Sequence, residues 1–264
     1  MMARMARGRG ARTAGATGDP GVERGGQTEA HLPAGEFSSW LQDMRRALRA
    51  EDGVDVDCGG CDACCTSSLF IHIRADEART LARVPEGLAF PAPGTAAGDR
   101  VLGYDERGRC PMLRGMHCSI YEHRPATCRI FDCRVYAAAG VHAGDDRRRI
   151  GERAARWRFT YSGPAARRQH DAVRAAARFI RENPGSFPGG RVPTDPGQVA
   201  VLAVKSYEVF LDLATSDEAS DAGADRVSDR GGDRALDHGD GLSTADRLAA
   251  AVVEACRRFD AGEE

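Results

Sequence analysis

Apolar side chains of this 264-residue chain recur in two periods. Phe37, Trp40, Leu41, Met44 and Leu48 fall on one helical face, and Ser38 or Ser39 stands where a cap belongs. Three further helical patterns lie in the second half. The first runs from Pro164 to Asn183, with Val173, Ala177 and Ile180 on one side and Pro184 as its stop. The second opens at Asp195-Pro196 and carries Val199, Leu202, Ala203, Phe210 and Leu213. The third follows Ser243-Thr244-Ala245-Asp246, a capping-box pattern, and presents Leu248, Val252, Cys256 and Phe259. Between the first helix and the rest the pattern shortens. Ser68 to Ile73 and Val101 to Tyr104 read as strands, and Trp157, Phe159 and Tyr161 alternate as a strand or a packed edge would. Asp76 is placed to cap a short helix through Leu81 and Val84 that Pro85 stops, and the Pro- and Gly-rich residues 85–99 read as a loop.

These patterns divide the chain. Residues 1–35 are rich in Gly, Ala and Arg without periodicity and are expected to be a disordered tail. Residues 36–213 form the expected domain, its C-terminal half helical. Residues 214–242, with the repeat Asp225-Arg226, Asp229-Arg230, Asp233-Arg234, Asp237-His238, read as a low-complexity linker. The evenly spaced aspartates lack the ligand order and distal Glu of a calcium loop. Residues 243–264 are the terminal helix.

Composition then narrows the function. The formal charge is −2, which argues against a wholesale nucleic-acid binder, and the Arg-Gly pairs at Arg7-Gly8 and Arg9-Gly10 are too few to reverse that. No run approaches the ~20 apolar residues of a membrane span. The N-terminus has no apolar stretch after its arginines, so a cytoplasmic, reducing setting is expected. There a dense group of thiols reads as metal-binding or catalytic before it reads as a disulfide framework.

Eight of the nine cysteines fall between Cys58 and Cys133. The first half is Cys58-Gly-Gly-Cys61-Asp-Ala-Cys64-Cys65 and the second is Cys110, Cys118, Cys128 and Cys133. Two-residue spacers let sulfurs face one ion, and Gly59 and Gly60 permit the tight turn this needs. Zinc takes four such ligands in a tetrahedron. The run Cys58, Cys61, Cys64 equally opens like a bacterial ferredoxin, and Cys110-Pro111 echoes the end of that motif. Neighbouring side chains diverge, so Cys64 and Cys65 serve two centres, or one is a ligand and the other supports it or is redox-active. His117 and His123 flank ligand-like cysteines and are alternative donors. Asp57, Asp62 and Asp132 read as turn or capping groups, Arg147-Arg148-Arg149 as a solvated face, and the lone Cys256 as a buried, inert thiol.

The two halves together resemble the YkgJ-type cysteine-cluster family, whose characteristic element is a zinc- or iron-chelating domain. Its C-x-x-C-x-x-C-C signature is matched by Cys58 through Cys65. Its downstream pattern is matched by Cys118, Tyr121, Arg124, Pro125, Cys128, Arg129, Phe131 and Cys133. The resemblance covers about residues 55–135 and implies metal ligation by Cys58, Cys61, Cys64, Cys65, Cys110, Cys118, Cys128 and Cys133. A related cluster in the flagellin lysine N-methylases offers an enzymatic alternative. An adaptor that uses zinc structurally, with a protein partner or substrate yet to be identified, is another. Four thiolates on a divalent ion leave a net charge of about −2, and Arg124 and Arg129 are placed to offset it. Pro125 is expected to fix the turn into a helix carrying Cys128, with a helix start between or after Cys128 and Cys133. The expected fold is therefore α+β: irregular, helix-rich, and built around a cysteine-ligated [4Fe–4S] iron–sulfur cluster or zinc.

Overall fold

The computed structural model describes residues 31–49, 53, 54, 56, 60–224 (backbone alone over 212–224) and 242–263. The expected tail up to residue 30, Cys58, Asp57 and the aspartate repeat lie outside the described residues. The fold mixes helices with small sheets.

β1 (Leu32–Glu36) leads directly into α1 (Phe37–Leu48). The first described element thus starts at Leu32, ahead of the boundary expected near residue 36. The reason is long-range: β1 pairs in parallel with β7 (Trp157–Thr160), a partner that local periodicity does not reveal. A register shift between Pro33 and Gly35 turns Ala34 into the core, where it is buried. The cap of α1 is Glu36, not Ser38 or Ser39: its carboxylate accepts from the Ser39 backbone N–H at 2.8 Å. These bonds, with others from Ser162, hold the Glu36 carboxyl down at about 2. Phe37, Trp40, Leu41 and Met44 are buried as the stripe predicts, each stabilising by about 1.5–3 kcal/mol.

Between the paired strands β1 and β7 the chain makes one long excursion that contains every clustered cysteine. Within it β2 (Ile71–Ile73), β3 (Ala89–Pro91) and β4 (Arg100–Leu102) form an antiparallel sheet in the order β2-β4-β3. β3 corrects the reading of residues 85–99 as a loop: it is an edge strand, where Pro91 costs little because its missing N–H has no ladder bond to make. α2 is a single turn, Ala78–Leu81, with Glu77 at its cap in place of Asp76. A tight hairpin joins β5 (Leu113–Arg114) to β6 (His117–Cys118), and Gly115 takes the positive φ of 61° that the two-residue turn requires. Then come α3 (Ala126–Ile130), α4 (Arg134–Ala139) and α5 (Arg148–Ala154).

After β7, helices α6 (Pro164–Glu182), α7 (Pro196–Ala224) and α8 (Thr244–Asp260) complete the body. α6 and α8 start where the sequence places them, α8 with the capping box of Ser243 and Asp246. α7 continues past Leu213 through Ala224, into the stretch read as linker. α8 lays Ala249 and Val252 into the main core, while Phe259 is buried beneath the Arg45 and Arg49 guanidinium groups. Among the described residues no helix is long and apolar enough to cross a membrane.

The apolar interior has two parts. The larger is formed by α1, α4–α8, β1 and β7. The smaller gathers Ile73, Leu102, Met112 and Ile120 under the three-stranded sheet.

Candidate metal centre

The cysteines stand at the seam between these two cores. Cys61, Cys64 and Cys133 pack against the larger one, and Cys110 and Cys118 against the smaller. Cys128 rides on α3, which Thr127 ties to β2 through a 2.8 Å bond to the His72 carbonyl. The Ala126 N–H, near the start of α3, donates to the Glu77 carboxylate at 2.6 Å.

Local structure explains how two distant stretches converge. Cys64 and Cys65 begin a 3₁₀ turn, Cys64–Thr66, held by Thr66 and Ser67 hydroxyls donating to the Asp62 and Ala63 carbonyls. The Cys110 N–H donates to the Cys65 carbonyl at 2.7 Å, so backbone joins the two halves directly. The β5–β6 hairpin then folds Cys118 back beside Cys110. Cys128 sits within α3, which starts after Pro125 as the turn argument expects. The helix ends at Phe131, and Cys133 stands just ahead of α4 without a side-chain bond to it. That break redirects Cys133 toward the larger core, where the Trp157 indole N–H donates to its sulfur at 3.2 Å.

The eight described cysteines, Cys256 included, are free thiols and partly buried. Electrostatics shows how close the clustered ones are. The hydrogen-bonded Cys65, then burial, push the Cys64 thiol far up. Burial, with Cys118 and Cys64 nearby, raises Cys110. Burial raises Cys128 to about 12, helped by Cys64, Cys110 and Cys118 and opposed by Arg124. Burial also raises Cys133 to about 12 against the Trp157 hydrogen bond, with Asp132, Cys64 and Cys61 adding to it. Cys64 is thus common to two groups of sulfurs: one with Cys110, Cys118 and Cys128, the other with Cys61 and Cys133. The second group lines a cavity of about 30 Å³ walled by Val56, Phe131, Ile150 and Trp157.

Thiols suit zinc and iron, and buried thiols near one another gain most from a cation that takes their charge. As they stand, no three His, Cys, Asp or Glu side chains among the described residues are close enough to hold one ion. Chelation therefore requires side-chain adjustment, Cys58, or both. No disulfide is formed among the described cysteines, so their thiols are available to a metal.

Other predicted residues take several roles. Arg124 stacks its guanidinium 3.6 Å from the Tyr121 ring centre and bears on Cys128, consistent with charge compensation. Arg129 instead donates to the Arg124 carbonyl and lies 3.7 Å from Glu77, so it holds the loop. His117 is exposed in β6 and His123 ends a 3₁₀ turn. Asp62 accepts from Arg149 at 3.1 Å, and Arg147 reaches Asp195 at 2.6 Å; the arginine run read as a solvated face ties α5 to the cysteine loop and to α7. Asp132 caps α4 as expected but also reaches across the fold to Trp40. The sequence did not single out Trp157 as a sulfur donor; its only signal was the strand-like alternation around it.

No match is found among curated proteins or among solved structures. Residues 57–147, about a third of the chain and the stretch holding all eight clustered cysteines, match the family model CxxCxxCC, described as "Putative zinc- or iron-chelating domain".

Proposed function

We propose that residues 57–147 chelate a [4Fe–4S] iron–sulfur cluster, drawing ligands from Cys58, Cys61, Cys64, Cys65, Cys110, Cys118, Cys128 and Cys133. The observation that carries this reading is the position of Cys64, within electrostatic reach of sulfurs from both halves of the chain. The ferredoxin-like spacing of Cys58, Cys61 and Cys64 supports iron–sulfur ligation. So does the N–H···S bond from Trp157, a contact of the kind that tunes cluster potentials. Zinc is the second reading. It is favoured by the small cavity at Cys61, Cys64 and Cys133, which has room for an ion and little more. Among the described residues nothing supports a methylase.

Anaerobic purification separates the two. Brown protein absorbing broadly near ~400 nm, with iron and acid-labile sulfide at about four each per chain, supports the cluster. Colourless protein with stoichiometric zinc supports the second reading. Protein that stays metal-free after reconstitution with either overturns both. Cys61→Ser should lose metal and order in the cysteine region, while Cys256→Ser should keep both. Unchanged metal content in Cys61→Ser removes Cys61 from the ligand set.

A further inference from the structure

A second concavity shares Trp157 with the one lined by cysteines. It encloses about 400 Å³, within the usual range for small-molecule sites. α4 forms one wall and ends at Gly140, whose φ of 65° turns the chain away and leaves the space open. Ala137, Ala154, Trp157 and Phe159 supply apolar surface. Beside the tyrosines Tyr136 and Tyr161, the polar side chains are His142, Arg158, His170 and Arg174, and no aspartate or glutamate lines the site.

The two arginines are uncommitted. Arg158 donates only to the Ala155 and Trp157 carbonyls, at 2.7 and 2.8 Å. Arg174 has no carboxylate within ion-pair distance among the described residues, and its side chain passes beside Gly140. Its charge nonetheless reaches the interior. His170 is 4% exposed, and burial first, then Arg174, bring it down to about 4, so it is neutral at pH 7. Its Nδ1 is 2.7 Å from the Tyr161 hydroxyl, while its Nε2, facing the backbone of Ala137 and Ala138, makes no hydrogen bond of normal geometry. Asp171 also acts on His170 but does not line the space. Arginines over an apolar floor, with no acidic side chain in the lining, are what a small acid with an apolar body requires.

We infer that this cavity binds a small apolar or aromatic carboxylate, its ring against Trp157 and Phe159 and its carboxylate on the Arg174 side. The carboxylate site contains none of the proposed metal ligands, although Trp157, whose indole N–H donates to Cys133, borders both.

The test uses full-length protein in its as-purified metal state, titrated calorimetrically with sodium benzoate and with benzamide, its uncharged counterpart. Benzoate should bind about tenfold or more tighter than benzamide, since a charge-assisted pair replaces a neutral one. Arg174→Gln, an exposed substitution that leaves the core intact, should remove most of that preference. Ala137→Phe fills the cavity and should abolish benzoate binding while the thermal midpoint stays near that of the parent. Equal binding of both probes, no binding of either, or benzoate binding unaffected by Arg174→Gln overturns the inference. Retained binding in a folded Ala137→Phe protein does the same, because it would place the acid on surface arginines outside the cavity.

Discussion

Asp132→Ala probes the link between the helical core and the break that redirects Cys133. Asp132 is 1% exposed. Its carboxylate accepts from the Trp40 indole N–H at 2.7 Å, from the Arg134 backbone N–H at 2.8 Å, and from the Arg134 guanidinium at 2.8 and 3.0 Å. Truncation strands a buried indole donor, at about 1–3 kcal/mol. It also leaves a guanidinium that is only 16% exposed, and breaking such a pair costs about 3–5 kcal/mol. The two losses overlap, and Arg134 keeps its bond to the Ala34 carbonyl at 3.1 Å, so the expected total is about 4 kcal/mol. Urea unfolding at pH 7, followed by far-UV circular dichroism, reads this directly. Because Arg134→Ala removes the other charge, the double variant should cost less than the two single losses combined, by at least about 1.5 kcal/mol. A loss under about 1 kcal/mol for Asp132→Ala, or simple additivity in the double variant, would refute the argument that this carboxylate anchors the junction.

The buried His170 should make stability fall in acid. Its folded value is about 4 against an ordinary 6.5, so between those limits the unfolded chain takes up a proton the folded chain refuses. Stability should drop by roughly 3 kcal/mol from pH 7 to pH 4, and His170→Phe should flatten the profile; equal slopes in both proteins would rule out His170 as the cause. Cys256, raised to about 11 chiefly by burial, should react slowly with iodoacetamide at pH 8, and Cys256→Ala should leave metal content unchanged. Loss of metal in that variant would bring the ninth cysteine into the centre. Stripping metal should speed amide exchange in β2, β4 and the β5–β6 hairpin while α6 and α7 hold their protection. A uniform change along the chain would mean the centre does not sit at a boundary between cores.

What the sequence made legible follows the range of the interactions. The α1 stripe, α6 and the Ser243 capping box rest on residues within a turn or two of one another, and periodicity finds them. β1 rests on β7 far along the chain, so Leu32 to Glu36 carried no local signal. β3, with Pro91, spoke against a strand until β4 supplied its neighbour. Glu36 as the cap of α1 was hidden by two serines of stronger propensity just after it. At the site, the cysteine spacing pointed to the ligand pool because metal ligation is written into short motifs. Trp157 and Asp132 were not legible in these roles, because each acts by reaching from one element to another.

The placement of the seven described clustered thiols bears on why they are gathered. An inert buried cysteine packs alone like a small apolar side chain. These thiols instead raise one another. Cys128 is pushed up by three other sulfurs besides burial, and Cys64 by its own neighbour Cys65. Such a group is costly as bare thiolates and gains little packing from its mutual proximity. A bound cation reverses the balance: it displaces the protons and turns mutual repulsion into shared attraction. It would also join the small sheet core, through Cys110 and Cys118, to the helical core, through Cys61, Cys64 and Cys133. On the proposed ligation the metal would therefore be a structural keystone as well as cargo or cofactor, and the Cys110–Cys65 backbone bond is the contact already in place for it.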